Sequence, residues 1–361
     1  MSNSALPAAI QAAVAQASAA AQAVRGTTSP NPPVGAVILN SAATEVLGVG
    51  ATQPPGGPHA EIMALQAAGE KTRGAIAVVT LEPCNHYGRT GPCSKALLAA
   101  GISKLYYVND DPIPAAHGGA DFLRENGVEV QQIAAPTAEL QPWLKATKQQ
   151  RVHVTAKFAQ TLDGFTAAKD GSSKWITGPI ARAHVHQDRR RRDAIIIGTV
   201  TALADNPALT ARDENGELFP EQPQAVVIGS REVKTAAPAL VARGFLQYPD
   251  LPTALDALWE LGCRDVLIEG GATLLTSAFK LGVVDAIQAY IAPLLLGEGR
   301  GVLTAALSSN IGQAKRWEPV ASSPVVSESS EMASSFEIPG KRVRELGPDI
   351  LVELINPEIR I

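Results

Sequence analysis

Cysteine is scarce in this chain, with three in 361 residues. Three thiols cannot make a disulfide framework, so the sequence reads as a cytoplasmic protein of a reducing compartment. Aromatic residues are also few, at 4%, and the formal net charge is only -4. Together these exclude a basic, ring-lined track for nucleic acid. No run of eighteen uncharged apolar residues occurs, so no membrane-spanning helix is expected. The Ala-rich opening lacks a basic segment followed by a Leu/Val-rich one, and a secretory leader is not expected either. Apolar residues are plentiful at 45%, beside 31 glycines and 26 prolines. That composition fills hydrophobic cores and excludes coiled coil and disorder. At this length two domains fit better than one.

Periodicity and breakers divide the chain. Ile10–Val24 reads as a helix, stopped by Pro30-Asn31-Pro32-Pro33. Strands follow at Val34–Leu39 and Glu45–Val49, a helix at Ala60–Ala68, a strand at Ala75–Thr80 and a helix at Ser94–Ala100. Strand Leu105–Val108, helix Ala120–Glu125 and strand Val128–Ile133 complete an α/β sandwich. Residues 134–150 read as the best linker candidate, with Leu140 and Trp143 expected to pack. The pattern then restarts, with strands at Val152–Phe158, Ala194–Gly198, Pro223–Ile228, Asp265–Ile268 and Asp285–Ile291, and helices at Ile180–Arg189 and Leu251–Leu261. Two α/β domains are expected, residues 1–148 and 149–361.

The chemistry concentrates in His59-Ala60-Glu61, Pro83-Cys84 and Cys93. One imidazole and two thiolates balance a Zn²⁺ ion and leave a fourth position for water, whose pKa coordination lowers to about 7. Each ligand is expected where a helix begins, where free N–H groups favour thiolate. Glu61 is then free to move protons as general acid and base. H-x-E followed by P-C and a further Cys is the pattern of zinc-dependent nucleobase deaminases. The nine-residue step from Cys84 to Cys93 is longer than their short P-C-x-x-C form. Two plain alternatives stand beside this reading: a closed structural zinc with His86 as fourth ligand, and buried His and Cys with no metal.

The second half speaks less clearly. Val266-Leu267-Ile268-Glu269-Gly270-Gly271-Ala272-Thr273-Leu274 reads as strand, glycine turn and helix, a phosphate-holding arrangement, but G-x-G-x-x-G is absent. Lys157, Asp163-Gly164, Trp175-Ile176-Thr177 and Ala204 through Arg212 supply polar groups expected in loops. In the run Arg189 to Arg192, at least two residues are expected on a solvated helix face.

The run Thr80-Leu81-Glu82-Pro83-Cys84-Asn85-His86-Tyr87-Gly88-Arg89-Thr90-Gly91-Pro92-Cys93 resembles the deaminase half of the bifunctional deaminase/reductases of riboflavin biosynthesis. Their longer pattern, P-C-x-H-x-G-x-T-x-P-C, is kept here at each fixed residue. The stretch from Lys157 through Arg212 and the later E-G-G-x-T-L are similar to that family's reductase domain, so the likeness covers everything after the Ala-rich opening. The resemblance implies a cytidine-deaminase-like three-layer sandwich followed by a dihydrofolate-reductase-like α/β domain. It implies zinc on His59, Cys84 and Cys93, proton transfer by Glu61, and substrate at Asn31. In the reductase it implies substrate at Ser173, Arg189, Leu209, Arg212 and Glu269. NADPH is implied at Gln160, Trp175, Thr201, Asp205, Ser230 and the turn Gly271-Ala272-Thr273. The substrate implied is a small phosphoribosylaminopyrimidine, with no nucleic acid or membrane partner, and the assembly a homo-oligomer, a dimer. Three positions depart from the family's common pattern: Pro33 stands for an Asn, Asn206 for a frequent Asp, and Gly229 for an Asp before the serine. Two rivals remain, a nucleoside or nucleic-acid deaminase with an unrelated fused domain, and a zinc-stabilised binding protein without turnover.

Overall fold

The computed structural model describes residues 6–87, 91–320 and 343–358, so Gly88, Arg89 and Thr90 of the inter-cysteine motif lie outside the described residues. The chain divides into two units, Met1–Gln149 and Gln150–Ile361.

In the first unit, strands β1 (Gly35–Leu39), β2 (Val46–Ala51), β3 (Ile76–Leu81), β4 (Lys104–Asn109) and β5 (Glu129–Gln132) form one sheet in the order β2-β1-β3-β4-β5. β1 runs antiparallel to both neighbours, and β3, β4 and β5 are parallel. β1 and β3 are buried along their whole length, as strands covered on both faces must be. Helix α1 (Ala8–Ala23) covers one face, packing Ile10, Val14 and Ala17 on Val37, Leu39 and Val78. Helices α2 (Ala60–Ala68), α3 (Cys93–Ala99), α4 (Gly119–Glu125) and α5 (Gln141–Gln149) cover the other, against Ala36, Ile38, Ala77 and Val79. The alternation of neighbours along each strand between these two cores is the period-two geometry of a strand. The result is a three-layer sandwich. A side chain on Gly50 would put its Cβ 2.3 Å from the Ala60 carbonyl and the Ala64 nitrogen. Only glycine lets α2 press so close to β2, and that seat fixes where His59 and Glu61 stand.

Residues 134–150 are not a linker. Leu140, Trp143 and Leu144 are buried in the core of the first unit, carried by α5. Pro142 resembles a helix breaker, yet it occupies the first turn, where its missing N–H costs nothing.

The second unit is built on the sheet β10-β9-β8-β11-β6-β12-β16-β14. Its strands are β6 (His153–Thr161), β8 (Ala194–Gly198), β9 (Gln224–Ile228), β10 (Leu246–Tyr248), β11 (Asp265–Ile268), β12 (Ala286–Ala292), β14 (Glu318–Pro319) and β16 (Asp349–Ile355). β7 (Phe165–Ala168) pairs apart with β13 (Gly299–Gly301), and β15 (Val343–Leu346) pairs with β16. From β10 to β12 every pair is parallel, and β16 is antiparallel to β12, β14 and β15. Helices α9 (Leu251–Glu260) and α10 (Ala272–Lys280) pack on one face, through Leu258 and Leu274 against Ile196 and Val266. α7 (Thr199–Asp205) and α8 (Pro238–Arg243) pack on the other through Ala202 and Leu240, and α6 (Pro179–Arg189) joins them by Ala181 against Tyr290. Lys157, expected in a loop, lies on β6. No helix among the described residues is long and apolar enough to cross a membrane.

Candidate functional site

His59 is the residue immediately before α2, whose first turn carries Glu61, and Cys93 opens α3. Cys84 departs from expectation: it stands in the extended segment after β3, not at a helix start. It meets a helix start all the same, because the Cys93 backbone N–H donates to its Sγ at 3.4 Å. His59 Nδ1 lies 3.6 Å from Cys84 Sγ and 3.3 Å from Cys93 Sγ, and the three ligand atoms all fall within 4.8 Å of one another. A tetrahedral ion with Zn–S of about 2.3 Å and Zn–N of about 2.0–2.1 Å holds such atoms about 3.6 Å apart. The residues therefore fit zinc. Among the described residues the metal-ligating group has these three members, so His86, which is exposed, does not close it as a fourth ligand.

The electrostatics suit the chemistry. A hydrogen bond from the Cys93 thiol draws Cys84 down to about 4, with His59 acting in the same direction against burial. The same bond and burial push Cys93 up. A metal that binds both as thiolates must displace the protons they hold. Glu61 is 4% exposed. Burial, then the negative charge of Cys84, pushes its carboxyl up to about 7, so it gives and takes a proton near neutral pH.

His59, Glu61 and Cys84 line a cavity of about 510 Å³ together with Asn31, Asp111 and Trp143. Trp143 Nε1 donates to the Pro30 carbonyl at 2.9 Å, so α5 fixes the loop that carries Asn31. Two carboxylates in the lining escaped the sequence reading. Burial raises Asp111 to about 6. Glu82 accepts the N–H groups of Gly118 and Ala120, each at 3.1 Å, and its second oxygen lies 2.6 Å from His117 Nδ1. It thereby ties one cavity wall to the ligand-bearing segment. The signal that could have found both is position: each follows the carboxyl end of a parallel strand, β3 or β4, where open sheets bind ligands.

In the second unit, Gly270 and Gly271 bridge β11 and α10 with φ of +136° and +70°. A Cβ on Gly271 would lie 3.1 Å from Thr201 Oγ1, so the structure brings Thr201 together with Gly271, Ala272 and Thr273. The free N–H groups of this turn and the hydroxyl beside it fit a pyrophosphate. Asp205, the last residue of α7, is exposed, and Gln160 is half-buried on β6. Trp175 is exposed, with the Arg182 guanidinium 4.5 Å over its ring. Ser230 lines a second cavity of about 360 Å³ at the end of β9.

The expected substrate residues are treated unequally. Arg189 binds Glu269 through two parallel bonds of 2.6 and 2.7 Å and gives Nη1 to the Thr210 carbonyl at 3.0 Å. Its fork is spent on a buried carboxylate, which competes with any phosphate for it. Burial pushes Glu269 up, but Arg189 outweighs it and holds the carboxyl below its ordinary range. Arg212 spends Nε on Thr210 Oγ1 and Nη1 on the Gly216 carbonyl, each at 3.0 Å. Its Nη2 edge stays open. Ser173 is exposed, while the Leu209 side chain belongs to a core and only its backbone can face a ligand. Lys157 was not among the candidates, yet its Nζ lies 4.0 Å from Glu269. The register of β6 beside β11, with Ala156 opposite Ile268, brings the two together. Burial lowers the Lys157 pKa against the pull of Glu269.

The arginine run is not a solvated face. Arg192 is buried between Asp188, at 3.0 Å twice, and Asp265, at 2.8 Å, and Arg190 pairs with Glu221 at 3.3 Å. The departures at 206 and 229 have local causes. Asn206 ends α7 at φ +42°, a conformation Asn tolerates, and accepts the Ala239 N–H at 2.9 Å. Gly229 has φ +122°, and a Cβ there would lie 2.9 Å from Thr199 Oγ1.

Comparison with known proteins finds matches over both units. Residues 8–109 match the family model described as cytidine and deoxycytidylate deaminase zinc-binding region, and residues 152–325 match the RibD C-terminal domain. The riboflavin biosynthesis protein RibD of Corynebacterium ammoniagenes is 52% identical over 320 residues, covering 87% of this chain and 95% of that protein. The chain belongs to the RibD family. The RibD of Escherichia coli K12 is 33% identical over 383 residues, covering 95% of this chain and 98% of its own length. A solved Acinetobacter baumannii RibD matches with a TM-score of 0.79 at 33% identity, over 96% of this chain and 98% of that one. A Thermotoga maritima diaminohydroxyphosphoribosylaminopyrimidine deaminase/5-amino-6-(5-phosphoribosylamino)uracil reductase matches with a TM-score of 0.78 at 26% identity, over 96% and 99%. As a member of the RibD family, this chain is a bifunctional enzyme of riboflavin biosynthesis, a zinc-dependent deaminase joined to a reductase.

Proposed function

We propose that the first unit removes ammonia from the pyrimidine ring of 2,5-diamino-6-(5-phosphoribosylamino)pyrimidin-4(3H)-one. The second then reduces the ribosyl group to ribityl with NADPH, giving 5-amino-6-(5-phosphoribitylamino)uracil. The observation that carries the first step is the three-ligand cluster, two of whose members, His59 and Cys84, share one cavity with buried Glu61. His59, Cys84 and Cys93 would hold zinc, which when bound would supply an activated water as nucleophile at neutral pH. Glu61 carries a proton to the ring nitrogen and on to the departing ammonia. Asn31, held through Trp143 and Pro30, orients the ring. In balance, water replaces the amino group with an oxo group and ammonia leaves.

For the second step NADPH would supply the hydride. Gln160, Trp175, Thr201, Asp205, Ser230 and the turn Gly271-Ala272-Thr273 would hold the cofactor. The open edge of Arg212, with Ser173, takes the substrate phosphate, since a guanidinium presents paired donors to such an anion. Arg189 and Glu269 act as a locked pair that shapes the pocket floor beside Lys157. The working form belonging to this reading is a cytoplasmic homodimer, checked by light scattering. The deciding experiment incubates purified protein with the diaminopyrimidine and follows products by mass. Without NADPH only the deaminated ribosyl compound is expected; with it, the ribityl compound. Release of no ammonia in either arm sinks the reading.

A further inference from the structure

We propose that Arg231 selects the phosphorylated nicotinamide cofactor by binding the phosphate on the 2′ position of its adenosine ribose. This rests on the NADPH reading above and adds a specificity-determining residue to it. β10, β9, β8 and β11 are neighbours and all parallel, so their carboxyl ends line one rim, the place where open α/β sheets take ligands. The glycine turn suited to a pyrophosphate follows β11. Two strands along, about 10 Å at strand spacing, Gly229, Ser230 and Arg231 follow β9. An adenosine reaching from a pyrophosphate at the first point sets its 2′ substituent at the second.

The cavity at that second point, about 360 Å³, is lined by Ser230, Arg231, Gln247 and Tyr248. Its loop is tied down. Gln247 Nε2 donates to the Gly229 carbonyl at 2.6 Å and the Arg231 carbonyl at 2.8 Å, and the Gly229 N–H donates to the Tyr248 carbonyl at 2.8 Å. Gly229 turns the chain against Thr199, delivering Ser230 and Arg231 to the cavity. Glu232 also lines the cavity, and one of its carboxylate oxygens accepts the Lys234 N–H at 2.8 Å within its own turn. Arg231 has no side-chain partner among the described residues, whereas Arg189, Arg190, Arg192 and Arg243 of the same unit are all engaged. A free guanidinium, a serine hydroxyl and a fixed loop suit a phosphate dianion. Tyr248 adds an aromatic face for the adenine.

The test titrates the full-length protein with 2′,5′-ADP and with 5′-ADP by calorimetry, and with NADPH and NADH by fluorescence, for wild type, Arg231→Ala and Arg231→Lys. Wild type is expected to favour the 2′-phosphorylated member of each pair. Arg231→Ala weakens those members about 10- to 150-fold, the scale of one charge-assisted hydrogen bond, and moves 5′-ADP and NADH less than twofold. Arg231→Lys, keeping the charge without the fork, falls between. A variant that keeps the wild-type preference, or loses both members equally, overturns the assignment of Arg231 alone. A wild-type protein that does not distinguish NADPH from NADH overturns the NADPH reading beneath it.

Discussion

The candidate metal ligands His59 and Cys93 lie 34 positions apart in the chain, while the buried pair Arg189–Glu269 of the second unit lies 80 apart. In the first unit His59, Glu61 and Cys93 sit within a residue of a helix start and Cys84 three residues past the end of β3, and imidazole and thiol are chemistry that few other residues supply. In the second, the groups are ordinary Lys, Arg, Glu and Ser side chains whose roles depend on what the sheet sets beside them. Arg189 and Arg212 are the same residue type on the same rim, and their environments give one to a carboxylate and leave the other an open edge. Donor identity decides the first site; neighbours decide the second.

The sharpest break of that contrast is removal of a ligand. Cys93→Ser and Cys84→Ser are each expected to lose the single zinc per chain and deaminase activity together, with NADPH-dependent reduction of the deaminated substrate intact. Full zinc by elemental analysis in both variants defeats the ligand assignment. Glu61→Gln keeps shape and metal but removes the proton carrier, and deamination should fall about 10²–10⁴-fold. Zinc content and melting should stay near wild type; a variant holding more than about a tenth of the rate moves the proton role elsewhere.

The two arginines separate folding from binding. Arg189→Ala leaves buried Glu269 beside Lys157 without its main partner and should cost about 3–5 kcal/mol of second-unit stability, read by urea melts. A loss confined to turnover, with the melt unchanged, returns Arg189 to the substrate. His184 is a smaller lever in the same unit. Burial, then the charge of Arg344, pushes it down to about 4, while Asp188 and Glu353 pull the other way. A depressed imidazole stabilises the fold above its ordinary value of 6.5 and loses that contribution as pH falls toward 4, about 3 kcal/mol in all. His184→Gln should flatten that slope relative to wild type, and parallel slopes refute it. Smallest is Arg212→Ala, expected to cost about 10- to 150-fold in reductase kcat/KM. NADPH affinity and deamination should hold; equal weakening of NADPH places Arg212 at the cofactor instead.

Much of this molecule was legible before folding. Helix Ala60–Ala68 and strands Ala194–Gly198 and Asp265–Ile268 appear with the bounds their patterns gave, because continuous apolar runs between breakers have one stable reading. The short strands β14 and β15 and helices α7 and α8 went unread, since so few residues carry no resolvable period, and the seven-residue β16 went unread with them. The first site was legible because His, Cys and Glu at that spacing have few other uses. Burial was not. That Glu61 titrates near neutral, that α5 belongs to the first unit and holds the Asn31 loop, and that Glu82 braces the cavity wall were decided by packing. The sequence by itself determined which elements form and which donors exist. Only the tertiary structure decided which charges pair and which stay open, because a buried charge takes the partner that strand register sets beside it.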